Sequence, residues 1–128
     1  MTVRRRISSG GPWEAIAGYS RAVVVGDGCW VSGTTDAGPD GRSRHPGDIA
    51  GQAAAAFEII EAALSEAGFS LADVVRTRMF ITDAGHWGDV SRAHGDVFRD
   101  VRPAATCVVT SLLDPSWKVE IEAEAVIR

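Results

Sequence analysis

Apolar and polar positions alternate strictly along the last part of the chain. From Lys118 to Ile127, Val119, Ile121, Ala123, Ala125 and Ile127 fall on one face, while Lys118, Glu120, Glu122 and Glu124 fall on the other. This is the period of two expected of a half-buried strand. Carboxylates two positions apart on a strand lie roughly 7 Å from one another, so each disfavours ionisation of the next unless cations or water compensate. The preceding run, Pro103 to Leu113, reads as another strand in which Cys107 and Ser111 alternate with Thr106 and Thr110. With the turn at Asp114-Pro-Ser-Trp, the two predict a hairpin. Its polar positions fit either a solvated sheet face or the wall of a pocket.

Val74 to Thr82 alternates in the same way, placing Arg76, Arg78 and Phe80 opposite Val75, Thr77, Met79 and Ile81. In one sheet with the glutamate row, Arg76 and Arg78 become cross-strand partners for Glu120, Glu122 and Glu124. Thr2 to Ser8 reads as an edge strand whose Arg4, Arg5 and Arg6 discourage edge-to-edge pairing. Gly10 to Glu14 reads as a loop, and Arg21 to Gly33 as two strands around Gly26-Asp27-Gly28. A long loop from Thr34 to Gly47 contains a turn at Pro39-Asp40-Gly41. The period then changes to that of a helix from Asp48 to Gly68, with Ile49, Ala53, Ala56, Phe57, Ile60, Ala63, Leu64 and Ala67 on one stripe and caps at Asp48 and Gly68. Asp83 caps a second helix in which Trp87, Val90, His94, Val97 and Phe98 share a face, ending before Pro103.

The element order of strand, hairpin, helix, strand, helix, hairpin predicts an α+β fold with both helices on one face of a mixed sheet. Its other face then carries Arg76, Arg78, Phe80 and the glutamates. That mixture suggests contact with another subunit, and hence a homo-oligomer.

Composition narrows the picture further. At 128 residues, 45% hydrophobic and 23% charged, the chain is expected to form a single domain over residues 1–128. A net charge of −4 argues against nucleic-acid binding driven by phosphate contacts. Without a long apolar run or a secretory signal pattern, a cytoplasmic protein with no membrane partner is expected. Cys29 and Cys107 lack metal-like spacing and read as reduced packing residues, and His45, His86 and His94 are isolated in sequence. No metal or cofactor is expected.

Several segments together resemble the RidA/YjgF family: Gly18-Tyr-Ser-Arg-Ala, Val31-Ser-Gly-Thr, Ala67-Gly, Val74-Val-Arg-Thr, Phe80-Ile-Thr-Asp, Pro103-Ala-Ala-Thr-Cys-Val and Val119-Glu-Ile-Glu-Ala. Their order and spacing cover nearly the whole chain. The resemblance implies a chorismate-mutase-like α+β fold, a homotrimer with facing sheets, and small-molecule pockets between subunits. It implies hydrolysis of imines or enamines to a keto acid and ammonia. Typical members grip the substrate carboxylate with an arginine after Pro-Ala, where this chain has Ala105. Because alanine cannot replace a bidentate guanidinium, the chain resembles an atypical subgroup, acting on a small imine, enamine or related C–N substrate other than standard 2-iminopropionate.

By position the resemblance carries Tyr19, Ser32, Gly33, Cys107 and Glu120 into the pocket. Thr34, Ser91, His94 and Ala105 stand where the family has other residues, and Thr106 lies between two pocket positions. Glu120 is the candidate general acid or base, with structural pairing to Arg76 or Arg78 as the alternative. A non-catalytic metabolite-binding trimer is the competing function. Ribonuclease activity or translation inhibition fits the acidic charge poorly, with only Arg4, Arg5 and Arg6 in its favour.

Overall fold

The last strand in sequence is one of the two central strands of the sheet. In the computed structural model, which describes residues 3–127, six strands form one sheet: β1 (Arg4–Ile7), β2 (Ala22–Val25), β3 (Gly28–Thr34), β4 (Val74–Ile81), β5 (Ala104–Val109) and β6 (Val119–Val126). Their spatial order is β1-β2-β3-β6-β4-β5. All pairings are antiparallel except that of β4 with β5. Val119, Ile121, Ala123 and Ala125 of β6 are all at most 2% exposed, so the apolar half of its alternation is core.

The expected hairpin of β5 with β6 does not form. β4 lies between them, parallel to β5 and antiparallel to β6. A parallel pair needs a crossover connection, which the helix between β4 and β5 supplies, and residues 110–118 then carry the chain across to β6. Alternation specifies the faces of a strand but not its neighbours. The β2–β3 hairpin does form around Gly26 (φ 58°) and Asp27, with Val25 opposite Gly28. β1 is the edge strand expected from its arginines; Thr2, included in that expectation, lies outside the described residues.

Three α-helices accompany the sheet: α1 (Pro12–Ala17), α2 (Ile49–Ala67) and α3 (Trp87–Phe98). The first occupies a segment that reads as loop. Pro12 at its start is pre-set for a helix, and Gly18 (φ 76°) ends it in the left-handed region. In α2 the expected caps hold: Asp48 Oδ1 accepts from Gly51 N at 2.9 Å, and Gly68 adopts φ 88°. Asp83 Oδ1 instead accepts from Gly85 N at 2.7 Å, capping a single 3-10 turn (Ala84–His86) from which α3 continues.

α2 and α3 cover the same face of the sheet. Phe57 of α2 meets His94 and Phe98 of α3 edge-on, with ring centroids 5.8 and 5.7 Å apart. His94 Nε2 and Thr77 Oγ1 of β4 share a 2.8 Å hydrogen bond. The histidine is therefore part of the helix–sheet packing, and burial pushes its pKa down from 6.5.

The long loop is tied down from α2 by Gln52, which is fully buried. Its Nε2 donates to His45 O (3.1 Å) and Ser116 O (3.0 Å), and its Oε1 accepts from Lys118 N (2.9 Å). One side chain thus joins the loop, the β5–β6 connection and the start of β6. Replacing it with leucine strands three backbone groups, so Gln52→Leu should lower stability by about 3 kcal/mol, measured by urea unfolding.

A second expectation concerns His94. Its folded pKa lies below its unfolded one, so the unfolded chain takes up the proton first and stability falls as pH drops below about 6.5. Comparing urea unfolding at pH 7.5 and 5.5, His94→Asn should lose less stability on acidification than the wild type does.

Candidate functional site

On the sheet face away from α2 and α3, β4 and β6 set Arg76 opposite Glu124, Arg78 opposite Glu122 and Phe80 opposite Glu120. The expected cross-strand pairing is made by Arg78, whose NH1 lies 2.8 Å from Glu124 Oε1 and 3.4 Å from Glu122 Oε1. Arg76 turns the other way and donates to Thr106 Oγ1 of β5 at 2.7 Å. Both arginines are thereby committed to partners within the sheet. No ion pair within 4 Å is made by Glu120 among the described residues.

Glu120 has a different neighbourhood. Opposite β6, β3 breaks register between Val31 and Thr34, a bulge at Ser32 and Gly33. The carboxylate of Glu120 lies directly over Gly33, where any Cβ would collide with it. Glycine here provides the seat for the carboxylate. Burial raises the pKa of Glu120 above 4.5, Arg21 pulls it down in part, and Glu122 adds to the rise.

Around this seat the hydroxyls are used structurally. Ser32 Oγ donates to Ser20 O at 2.6 Å, tying the bulge to the segment entering β2. Thr34 is fully buried and donates to Ser32 O at 2.7 Å, so it shapes the bulge from the core side. Tyr19 is 41% exposed, its ring 5.9 Å from the guanidinium carbon of Arg21. Arg21 NH2 in turn donates to Gly33 O at 2.7 Å.

The other candidate residues lie elsewhere. β5 pairs Ala105 with Thr77 and Cys107 with Met79, residues that face the helices, so Ala105 and Cys107 share that side of the sheet. They line a cleft of about 470 Å³ beside β5, with Ile81, Ala84 and Trp87. Thr106 falls on the glutamate side. Burial raises the Cys107 thiol pKa, which leaves it a wall residue and not an activated nucleophile. Ser91 Oγ donates to Gly88 O at 3.1 Å within α3, and His94 is held between the layers. Within one chain, then, Tyr19, Ser32, Gly33 and Glu120 are brought together, whereas Ala105, Cys107, Ser91 and His94 are not part of that group.

Sequence reasoning missed Arg21. It precedes the apolar run Ala22–Val25, and only its place beside Tyr19 in a motif hinted at a role. Its proximity to Glu120 comes from the β3 bulge, which no alternation pattern announces.

The Endoribonuclease L-PSP family model matches residues 11–127. Over 122 residues, 94% of this chain and 90% of the relative, the chain is 38% identical to the uncharacterized protein SCO2049 of Streptomyces coelicolor. It is 31% identical over 124 residues to the 2-iminobutanoate/2-iminopropanoate deaminase of Rattus norvegicus, covering 97% of this chain and 90% of that enzyme. Among solved structures, Rv2704 of Mycobacterium tuberculosis, a member of the YjgF/YER057c/UK114 family, superposes with a TM-score of 0.88 at 44% identity, covering 98% of this chain and 100% of that one. The YjgF protein of E. coli gives a TM-score of 0.82 at 29% identity, with 97% and 99% covered. A match across nearly the whole chain, in sequence and in three dimensions, makes this protein a member of the endoribonuclease L-PSP family, the RidA/YjgF group.

Proposed function

We propose that the protein is a RidA-like hydrolase that deaminates a small imine, enamine or related C–N compound in clefts between the subunits of a cytoplasmic homotrimer. The observation that carries this reading is the seat of Glu120: a half-buried carboxylate over the bare backbone of Gly33, without a direct ion pair among the described residues and with a raised pKa. A carboxylate whose pKa burial has raised is a better proton acceptor than a solvated one, and can take a proton from water and return it.

The chemistry balances with water alone. Glu120 accepts a proton from a water as its oxygen bonds to the C=N carbon, and the π electron pair moves to nitrogen, which is protonated. The resulting carbinolamine gives up its hydroxyl proton to Glu120, which passes a proton to the amino nitrogen; the C–N bond then breaks with its electron pair on nitrogen, and ammonia leaves a carbonyl product with Glu120 again ionised. Ala105 offers no guanidinium to a substrate carboxylate, so a substrate that depends on that grip, as standard 2-iminopropionate would, is a poor candidate. That same alanine favours the second reading, a trimer that binds a metabolite without turning it over.

The trimer reading is supported by two features. The glutamate face exposes Trp30 (48%) and Val126 (45%) among its charges, an apolar and charged mixture suited to a subunit interface. The candidate residues also divide between the two faces of one sheet, so a pocket containing both sets needs a neighbouring copy. Light scattering on the eluted protein should give three times the 13.5 kDa chain mass; a monomer at micromolar concentration would remove the interface pocket. As for the ribonuclease reading, Arg78 is already paired with Glu122 and Glu124, and the row of glutamates on that face works against phosphate contacts.

Glu120→Gln keeps the shape of the side chain and removes the proton acceptor. Ammonia release from imines generated in situ from a panel of amino acids should fall by about 10²-fold or more, with the melting temperature nearly unchanged because no ion pair is broken. Retained turnover in this variant would take Glu120 out of the chemistry.

A further inference from the structure

Arg21 is held beside the Glu120 seat with most of its hydrogen-bonding capacity unused. A guanidinium carries five N–H donors; among the described residues, the side chain of Arg21 makes one hydrogen bond, to Gly33 O. Its Nε is secluded from water with no acceptor. An unpaired, secluded Nε is unfavourable, and the remaining N–H groups of this partly buried cation are open to an acceptor from outside the chain. Burial accordingly lowers the pKa of Arg21, although Tyr19, Glu14 and Glu120 act in the opposite direction.

Neither nearby carboxylate fills the need. Glu14 Oε2 already accepts from Ser9 Oγ (2.6 Å) and Ser9 N (3.1 Å). Glu120 lies close enough for each charge to bias the other, yet the two make no ion pair within 4 Å. Gly33 stands between them, its carbonyl gripped by Arg21 and its Cα face covered by Glu120. A partly buried cation and a half-buried carboxylate on either side of Gly33, with the Tyr19 ring beside the cation, form a charge pattern that suits a small ligand with an acidic group at one end and a polar carbon at the other.

We infer that Arg21 is the anion-binding residue of this site and holds the carboxylate of a small organic acid beside Glu120. The acid grip lost at Ala105 on one face of the sheet is supplied at Arg21 on the other, so the ligand enters with its acid end toward β2. That the ligand is an imino acid rests on the hydrolase reading above; that Arg21 binds a carboxylate does not.

The test is equilibrium binding of an unreactive probe, 2-oxobutanoate, to the intact protein by calorimetry. Wild type should bind it, and Arg21→Gln should weaken binding at least tenfold, the loss of one charge-assisted contact. Arg21→Lys keeps the charge without the fork and should recover part of the affinity. Glu120→Gln should tighten binding, because it removes a like charge next to the bound acid. Wild-type affinity should also rise as pH falls and Glu120 is protonated, and this dependence should vanish in Glu120→Gln. The other charged groups around Glu120 are Arg21, Glu122 and Arg78, with Tyr19 at the rim.

Several outcomes would overturn the inference: no binding to wild type, undiminished binding to a folded Arg21→Gln, or Glu120→Gln binding no tighter than wild type. The last arm decides the matter even where Arg21→Gln fails to fold. Because the probe does not react, a failure of imine hydrolysis leaves this measurement standing, and a failure of binding leaves the turnover measurement standing.

Discussion

Much of the molecule depends on the alternation of a single strand. β6 lies between β3 and β4 and presents Val119, Ile121, Ala123 and Ala125 to the helices, while its glutamates form the opposite face. The side-chain period of two couples these roles: a slip by one residue would drive three carboxylates into the core and expose the apolar set. Core packing therefore fixes where Glu120 stands. The precision of the candidate site derives from the burial of its sequence neighbours.

The three glutamates nonetheless differ. Glu122 and Glu124 share Arg78, which offsets one of their two charges. Glu120, at the end of the row, has Phe80 opposite it on one side and the Gly33 bulge on the other. An ion pair holds its members ionised, whereas burial without a partner moves a carboxylate toward the range in which it can exchange protons. The chemistry of the row is set by what lies across from each position, not by residue type.

This explains what could be read from the sequence and what could not. The α2 helix and its caps, the β2–β3 hairpin, the strand alternations and the family were legible, because each is written in local periodicity, turn chemistry or motif order. The Arg78 pairing followed from alternation once β4 and β6 were placed in one sheet. Neighbour order was not legible: nothing in the residues of β5 distinguishes pairing with β6 from pairing with β4, and the hairpin expected there proved to be two strands separated by a third. α1 was missed because Gly10 to Glu14 reads as a loop, whereas Pro12 within it is also a good first residue of a helix. Arg21 and Gln52 were missed for another reason: their value lies in partners from distant segments, Gly33, His45, Ser116 and Lys118.

The central place of β6 also bears on how the protein is made. Synthesis proceeds from β1 to β6, so β3 and β4 emerge with the gap between them unfilled. Until residues 119–126 leave the ribosome, the growing chain holds two sheet fragments with open edges and an uncovered apolar surface on α2, features that invite mispairing. Closure of the sheet, and with it the assembly of the Glu120 seat, waits for β6, so the nascent sheet stays open to mispairing until residues 119–126 have emerged.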